Sequence, residues 1–239
     1  MQDYILKGVV LRAIDLKEKD KLITIFTAEK GVISASLRGV RQQKSKLKFA
    51  TQPMCFAEFS MTGNGDILTC TNASEIESFF AITQDYDKMI YASAMLEMIY
   101  TTAYKEPNVG LFVSLVRALG GLCGNNLNAG VVFAKFCLQF FVNMGYALNL
   151  DSCKTCGKKF ETNLCLDLNS GALICKSHAG FDAIDVSKEC YKALWLIDDY
   201  DFAELDKVKV NDEQIKQCTK LFVYNFNALF DKRLKSIKV

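Results

Sequence analysis

Four residues of the chain have the chemical types and the spacing of a zinc site. They form two pairs, Cys153-x-x-Cys156 and Cys175-x-x-His178, with residues 157–174 between them. Zn²⁺ prefers four tetrahedral nitrogen and sulfur ligands, and a tight turn presents two of them to one ion. Two such pairs about 15–20 residues apart are typical of zinc-binding proteins. His178, the only histidine of the chain, completes a predicted Cys₃His set.

The predicted zinc site has no position left for a substrate or a reactive water. A catalytic zinc keeps one position open, and zinc hydrolases and nucleobase deaminases carry a glutamate close in sequence to a histidine ligand. No such glutamate follows His178. We therefore predict a structural zinc ion in a ribbon at about residues 150–182, with turns at Gly157 and Gly171. Unrelated buried thiols with a surface imidazole are one alternative. A redox Cys-x-x-Cys is another, although no βαβ pattern surrounds the first pair.

The composition predicts an intracellular protein with reduced thiols. The chain has 239 residues, is 50% hydrophobic and carries a net charge of +2, so it can bury a core in one large or two small domains. No apolar run reaches the roughly 18 residues of a membrane span, and Asp3, Lys7 and Arg12 interrupt any secretory segment. A cytoplasmic protein is expected. Outside the two pairs, six cysteines are predicted to be small core residues: Cys55, Cys70, Cys123, Cys137, Cys190 and Cys218.

The first 72 residues have the pattern of β-strands. Five runs rich in β-branched and aromatic residues are separated by turn residues such as Gly63-Asn64-Gly65-Asp66. We place the strands at residues 4–12, 22–27, 32–37, 54–61 and 67–71. Five short strands in about 70 residues indicate a small closed barrel, and the OB-fold is the five-stranded barrel that often binds nucleic acid. An SH3-like barrel is the alternative, because strand number by itself does not separate the two.

The connection between the third and fourth strands is strongly basic. Five basic residues and no acidic residue lie between positions 38 and 48: Arg38, Arg41, Lys44, Lys46 and Lys48. Guanidinium and ammonium groups bind phosphates, so this segment is the predicted DNA-binding site. A solvated loop is the alternative interpretation. Phe26, Phe49 and Phe56 could stack on bases, but each is predicted first to be a core residue.

From residue 75 onwards, apolar residues recur at helical spacing. Helices are predicted at 86–104, 108–122 and 130–144. The third is apolar almost all round and is expected to be the central, buried helix.

Two more helices are predicted after the ribbon. Ser187 is expected to cap a helix that ends near Asp198. Asn211 and Gln214 have the spacing of a capping box and open a last helix to about Leu234. That helix is predicted to end in a basic turn that complements its dipole: Lys232, Arg233 and Lys235. The predicted fold class is therefore α+β, with an OB-fold barrel at 1–78 and a helical domain at 79–239 that carries the zinc ribbon.

Short motifs follow one another in a specific order along nearly the whole chain. They are Gly8-Val9-Val10-Leu11-Arg12, Lys19-Asp20-Lys21-Leu22, Arg38-Gly39-Val40-Arg41, Lys44-Ser45-Lys46-Leu47, Ala73-Ser74-Glu75, Glu106-Pro107 and Cys153-Lys154-Thr155-Cys156-Gly157. In this order and spacing, the chain resembles the RecO family of bacterial recombination mediators. Two positions depart from the family pattern. His178 stands where many relatives have a fourth cysteine, and Ser170-Gly171 stands where many have two glycines.

The resemblance implies a function in DNA repair and recombination. It implies binding of single- and double-stranded DNA, annealing of complementary strands, and help in loading recombinase onto single strands coated by single-strand-binding protein. RecR and single-strand-binding protein are the implied protein partners, with no membrane, in the bacterial cytoplasm at the nucleoid. No Gly-x-x-x-x-Gly-Lys motif is present, so no ATPase activity is expected, and the predicted metal site has no open position, so no other enzyme activity is expected. A zinc hydrolase or deaminase and a redox or structural zinc-ribbon adaptor are the other classes considered.

Overall fold

The amino-terminal part of the chain forms a closed five-stranded barrel. The structure, a computed structural model, describes residues 2–102, 105–124, 127–160 and 164–238. The barrel strands are β1 (Asp3–Asp15), β2 (Lys21–Thr27), β3 (Gly31–Leu37), β4 (Phe56–Thr62) and β5 (Ile67–Glu77). All five predicted strands are therefore present, and β1 and β5 are longer than predicted.

The strand order of the barrel is that of an OB-fold. Around the barrel the order is β1-β2-β3-β5-β4. The pair of β3 and β5 is parallel, whereas the other neighbours are antiparallel. A simple up-and-down meander has no parallel pair, so the barrel has a crossed connection of the Greek-key type. Strand β1 pairs with both β2 and β4, and its register shifts between Val10 and Arg12, where the strand bends to close the barrel.

Alternating burial along the strands produces the barrel interior. Every second residue of β3 and β4 is buried, as expected for strands with one face towards a core. The outside of the barrel is covered in part by helices α1 (Tyr86–Thr102) and α2 (Val109–Cys123). Phe26, for example, is fully buried and meets Phe112 of α2 edge to face, with 5.7 Å between ring centroids. Residues 103 and 104, the predicted end of α1, lie outside the described residues.

The chain divides into two compact units at residue 123. The first unit, residues 1–123, contains the barrel with α1 and α2, because α1 packs on β1 and β2 and Phe112 of α2 packs on Phe26. The second, residues 124–239, contains the remaining helices and the ribbon. The predicted domain limits, 1–78 and 79–239, follow the change from strand to helix pattern and stay a prediction.

Helix α3 (Ala129–Asn143) lies at the centre of the second unit. It packs against α4 (Lys188–Asp199) and α5 (Asp212–Phe230). Its residues from 130 to 138 are all buried, which confirms the predicted central helix. Even Lys135 is buried, and its Nζ donates a hydrogen bond of 2.9 Å to the carbonyl of Asp198, where α4 ends. No described helix has the length and hydropathy needed to span a bilayer.

The predicted caps of the last two helices are present, but the predicted end of α5 is wrong. Ser187 accepts a hydrogen bond from the amide of Cys190, and Asn211 with Gln214 forms a complete capping box. Helix α5 ends at Phe230, since Asp231 has a φ of 48° and leaves the helix. The basic residues predicted for its last turn therefore follow the helix, in a segment that folds back to bury two apolar side chains: Leu234 and Ile237.

Candidate metal centre and nucleic-acid interface

The second unit contains a three-stranded antiparallel ribbon. Its strands are β6 (Leu164–Asp167), β7 (Ala172–Cys175) and β8 (Ala183–Val186), in the order β7-β6-β8. Gly171 occupies the β6–β7 turn with a φ of 65°, and a Cβ at this position would lie 2.5 Å from Cδ1 of Leu229 on α5. The hydroxyl of Ser170 donates to Asp167 in the same turn. The turn therefore needs glycine at position 171 but not at position 170, where serine is tolerated.

Backbone hydrogen bonds shape the two turns that carry the predicted ligands. In the first turn, the amide of Cys153 donates to the carbonyl of Lys158 (2.9 Å) and the amide of Gly157 donates back to Cys153 (2.8 Å). Gly157 has a φ of 69°, a conformation that glycine adopts without strain. In the second turn, Cys175 ends β7 and a single 3₁₀ turn leads to His178.

The structure brings all four predicted ligands together. The three cysteine Sγ atoms and a ring nitrogen of His178 lie within 4.8 Å of one another. Cys153 Sγ is 3.6 Å from His178 Nδ1, about the separation of two ligands on one tetrahedral zinc ion with bonds of roughly 2.0–2.3 Å. Cys153 is buried, whereas Cys156 and His178 are exposed. The cluster could hold a metal ion with four protein ligands.

The surroundings of Cys153 favour its thiolate form. Burial raises the pKa of this thiol, but hydrogen bonds from the amides of Cys175, Cys156 and Thr155, together with His178, lower it to about 5. At Cys175, burial and the two neighbouring thiols raise the pKa to about 11. Three thiols crowded in this way repel one another when ionised, and a divalent cation between them removes that repulsion. The electrostatics of the cluster therefore suit a metal cation.

The other seven cysteines lie outside the four-residue cluster of the described chain. Cys165 lies in β6, where its Sγ donates to Asp185 (3.1 Å), and burial raises its pKa to about 11. Cys190 and Cys218 are buried side by side, with 3.7 Å between their sulfur atoms. Of the six cysteines predicted to be core residues, five are buried and Cys123 is half-buried. All ten are free thiols, so the fold contains no disulfide.

The basic β3–β4 connection is fixed at its start to the β1–β2 hairpin. Gly39, with a φ of 65°, donates its amide to Asp20 Oδ1 (2.8 Å), and the amide of Arg41 donates to the carbonyl of Lys19 (3.0 Å). Its far end is a short 3₁₀ turn at Phe49–Thr51, and Leu47 and Phe49 pack on the barrel core. The basic side chains therefore extend from an anchored loop.

The five predicted DNA-binding residues are all exposed, but they are not equivalent. Arg41 forms an ion pair with Asp15 (3.2 Å) and donates to the carbonyl of Lys17. Lys48 donates to the carbonyl of Gln43 (3.2 Å). The remaining three side chains have no hydrogen bond or ion pair among the described residues and are free to meet phosphate: Arg38, Lys44 and Lys46.

Sequence reasoning missed two lysines that the fold places beside this loop. The backbone of the β1–β2 hairpin bonds to Arg41 at Lys17 and Lys19, and both lysine side chains are exposed. In the sequence they alternate with acidic residues, which hides their proximity to the loop. The aromatic candidates are core residues: Phe26 is buried, and Phe49 and Phe56 are half-buried in packed positions. Phe26 therefore cannot stack on a base.

Comparison with known protein families assigns the architecture. The family model described as recombination protein O, N terminal, matches residues 1–79, which hold the barrel. The model described as recombination protein O, C terminal, matches residues 83–237, which hold the helices and the ribbon. The chain is thus a DNA repair and recombination protein built from a barrel and a helical region. It belongs to the recombination protein O family.

Curated relatives align over almost the full chain. The DNA repair protein RecO of Clostridium perfringens is 24% identical over 233 residues, which cover 97% of this chain and 95% of the relative. The DNA repair protein RecO of Acetivibrio thermocellus is 27% identical over 217 residues, covering 90% and 86%. That of Caldicellulosiruptor saccharolyticus is 27% identical over 206 residues, covering 86% and 84%. The resemblance first noted in short motifs therefore extends over both compact units.

Proposed function

We propose that the chain is a non-catalytic DNA-binding mediator of recombination that anneals complementary strands. The observation that carries this proposal is the anchored basic loop of the OB-fold barrel. Three of its cations have no partner among the described residues, and two more lysines lie on the adjoining hairpin. Phosphate contacts of this kind bind DNA of any sequence. Annealing requires that property, because the two strands to be joined differ in sequence.

Annealing also requires that the repulsion between two polyanions be lowered. Cations on an exposed loop supply this screening without consuming a nucleotide. The four-ligand metal cluster supports the same assignment, because a metal that is fully coordinated by protein stabilises a fold and activates no water. We assign a structural Zn²⁺ to Cys153, Cys156, Cys175 and His178.

The mediator role extends this proposal to protein partners. We propose that the chain acts with RecR and with single-strand-binding protein, and that it helps recombinase to load on coated single strands. Membership of the recombination protein O family supports these partners, and the DNA-binding loop gives the chain its own contact with the strand. The proposed location is the bacterial cytoplasm, at the nucleoid.

The test is a salt series with a fluorescein-labelled single-stranded oligonucleotide, followed by anisotropy. On single strands, each phosphate contact contributes about −0.7 to the slope of log K against log salt. The triple variant Arg38→Ala/Lys44→Ala/Lys46→Ala should therefore bind with a slope shallower by about 2.1. It should also lose strand annealing, measured by fluorescence quenching between complementary labelled strands.

A matched control removes the same charge elsewhere. Lys188, Lys192 and Lys216 are exposed on α4 and α5, and their replacement by alanine should leave slope and annealing as in the wild type. If the loop variant and this control have the same salt slope, the loop is not the DNA-binding site. If the wild-type protein neither binds nor anneals DNA at low salt, the mediator function itself is wrong.

A further inference from the structure

One arginine of the barrel faces solvent without a carboxylate partner among the described residues. Arg12 on β1 is exposed, and its guanidinium contacts Tyr100 of α1, where Nη1 donates to Oη (3.2 Å). Glu97, the acidic residue nearest to Tyr100 in sequence, forms no ion pair with Arg12 in the described part of the chain. A tyrosine hydroxyl is neutral, so the positive charge of Arg12 is left for an external anion.

A local irregularity of β1 positions this pair. The register of β1 against β2 shifts between Val10 and Arg12. Val10 and Leu11 are both buried, which breaks the alternation of the strand, and Arg12 is the next exposed residue. A bulge re-aims a side chain in this way. Helix α1 packs on β1 and β2, and so brings Tyr100 to the guanidinium.

The guanidinium covers only part of the Tyr100 ring. Cζ of Arg12 lies 5.5 Å from the ring centroid, farther than the roughly 3.5–4 Å of two groups in direct stacking contact. Because Nη1 is within hydrogen-bond distance of Oη, the guanidinium lies towards the hydroxyl end of the ring. Tyr100 is 40% exposed, so a flat aromatic surface remains open beside a cation.

The pair lies on the strand that also anchors the basic loop. Asp15, three residues after Arg12 on β1, forms ion pairs with Arg41 of the loop and with Lys21. At a rise of about 3.3 Å per residue, the two β1 positions are roughly 10 Å apart. The residues of β1 between them are uncharged, and β2 and β3 contain no acidic residue. A polyanion held at the loop can therefore reach Arg12 without passing an unpaired carboxylate on these strands.

We propose that Arg12 and Tyr100 form a base-binding site for single-stranded nucleic acid, in which a base stacks on Tyr100 and Arg12 binds a neighbouring phosphate. An aromatic ring beside a cation holds single strands of any sequence, because every base has a face to stack on. The inference deepens the proposed function and rests on it for the strand that the loop holds. It adds a preference for single strands, since the bases of a duplex are already stacked on one another.

The first test places a fluorescent reporter at the proposed stacking position. Tyr100→Trp is made in a Trp195→Phe background, so that the introduced indole is the sole tryptophan of the chain. Titration with oligothymidylate should quench its emission saturably, whereas the duplex of the same strand with oligodeoxyadenylate should not. Tyr146→Trp in the same background is the control, because Tyr146 is similarly exposed (39%) but belongs to the second unit. Its emission should stay constant.

Affinity gives a second, independent readout. Tyr100→Ala should weaken binding of oligothymidylate by about fivefold to 150-fold, the range for loss of one stacked base, with no such effect on the duplex. Tyr100→Phe, which keeps the ring, should restore most of that affinity. Arg12→Gln can still donate to Tyr100 but lacks the charge, so the salt slope on single strands should become shallower by about 0.7. Arg117→Gln, at an exposed arginine of α2, is the matched control and should keep the wild-type slope.

These variants distinguish a base-binding site from a simple tether of α1 to the barrel. A tether depends on the hydroxyl, so binding by Tyr100→Phe as weak as that by Tyr100→Ala would overturn the inference. An equal loss of affinity for single strands and duplex in Tyr100→Ala would overturn it as well, as would a Tyr100→Trp emission that oligothymidylate does not quench.

Failure of the loop assignment gives a different result. If Tyr100→Ala and Arg12→Gln bind like the wild type while the triple loop variant loses binding, the base-binding site is wrong and the loop assignment stands. If the triple loop variant keeps the wild-type salt slope while Tyr100→Ala weakens binding of single strands, the base-binding site stands and the loop assignment is wrong.

Discussion

The barrel and the ribbon are both small β-structures, yet they are held together in different ways. Fifteen buried residues fill the barrel core, from Leu6 on β1 to Cys70 on β5. In the ribbon, the face that carries Cys153 and Cys165 has a buried cluster of three residues, of which Ile174 is the only one that is not a cysteine. A cluster of that size cannot offset the conformational entropy lost in ordering the two ligand turns, although the other face of the ribbon buries Leu164, Leu166 and Leu173. A metal ion supplies what apolar burial does not, so the two regions should respond differently to the same perturbation.

Loss of the metal should have the largest effect, and only in the ribbon. Structural zinc contributes on the order of 10–16 kcal/mol in isolated zinc-finger peptides. Cys175→Ser removes one ligand, so the protein should lose bound zinc and the two turns should open. Elemental analysis measures the metal, and hydrogen exchange at the amides of Cys153 and Gly157 measures the opening. Exchange in β1–β5 should not change.

Cys165→Ala is the control for this experiment, because it removes a ribbon thiol that is not a ligand. Its zinc content should equal that of the wild type. Barrel amides that exchange faster on metal loss would show that the two regions are not independent. A protein purified under reducing conditions without chelator that contains no metal would contradict the proposed centre.

The converse perturbation is a cavity in the barrel. Phe59 on β4 is fully buried in the barrel core, and its replacement by alanine should cost about 3–5 kcal/mol of unfolding free energy. Denaturation of the first unit should shift to lower denaturant, while zinc content stays constant. Phe80→Ala, at an exposed phenylalanine, should have little effect on either quantity. Zinc loss in Phe59→Ala would contradict the independence of the ribbon.

The packing of the ribbon on α5 can be tested at its closest contact. Gly171→Ala introduces a Cβ 2.5 Å from Leu229 at a φ of 65°, and should destabilise the second unit by about 1–3 kcal/mol. Leu229→Ala in the same chain should recover the part of this cost that is due to crowding. Gly157→Ala is the control: its φ is similar but the space around it is open, so the loss of unfolding free energy there measures the effect of the backbone conformation without crowding. Equal costs at both glycines would mean that packing on α5 does not matter.

The smallest predicted effect concerns the ion pair that occupies Arg41. Asp15→Asn releases the Arg41 guanidinium from an exposed carboxylate at 3.2 Å, and it also releases Lys21, whose Nζ lies 3.3 Å from the same carboxylate. Such pairs contribute about 0–1 kcal/mol, so the midpoint of unfolding should hardly change. The two freed cations should strengthen DNA binding and steepen the salt slope by up to about 1.4, or about 0.7 if Arg41 alone meets a phosphate. Glu18→Gln, which removes a hairpin carboxylate that has no ion pair among the described contacts, separates this effect from a general gain of charge. If both variants have the same salt slope, release of Arg41 from Asp15 does not add a phosphate contact.

Local patterns in the sequence determined most of the elements. Strand periodicity located all five barrel strands, because one face of each strand must be buried. The capping box of Asn211 and Gln214 located the start of α5, because its hydrogen bonds join residues three positions apart. The pairs Cys153/Cys156 and Cys175/His178 predicted the cluster for a similar reason: a tight turn fixes the distance within each pair. The end of α5 was missed, since it depends on Asp231 leaving the helix and on the burial of Leu234 beyond it.

Tertiary structure alone decided the relations between distant segments. The parallel pair of β3 and β5 joins residues that no local pattern relates, and it distinguishes the OB-fold from other five-stranded barrels. The sequence grouped five cations in one loop, but only the fold separates Arg41, bound to Asp15, from Lys44 and Lys46, which have no partner among the described residues. The fold also brings Lys19 to that loop. Charge, spacing and periodicity are properties of neighbouring residues, whereas the availability of a side chain depends on which distant residues fold against it.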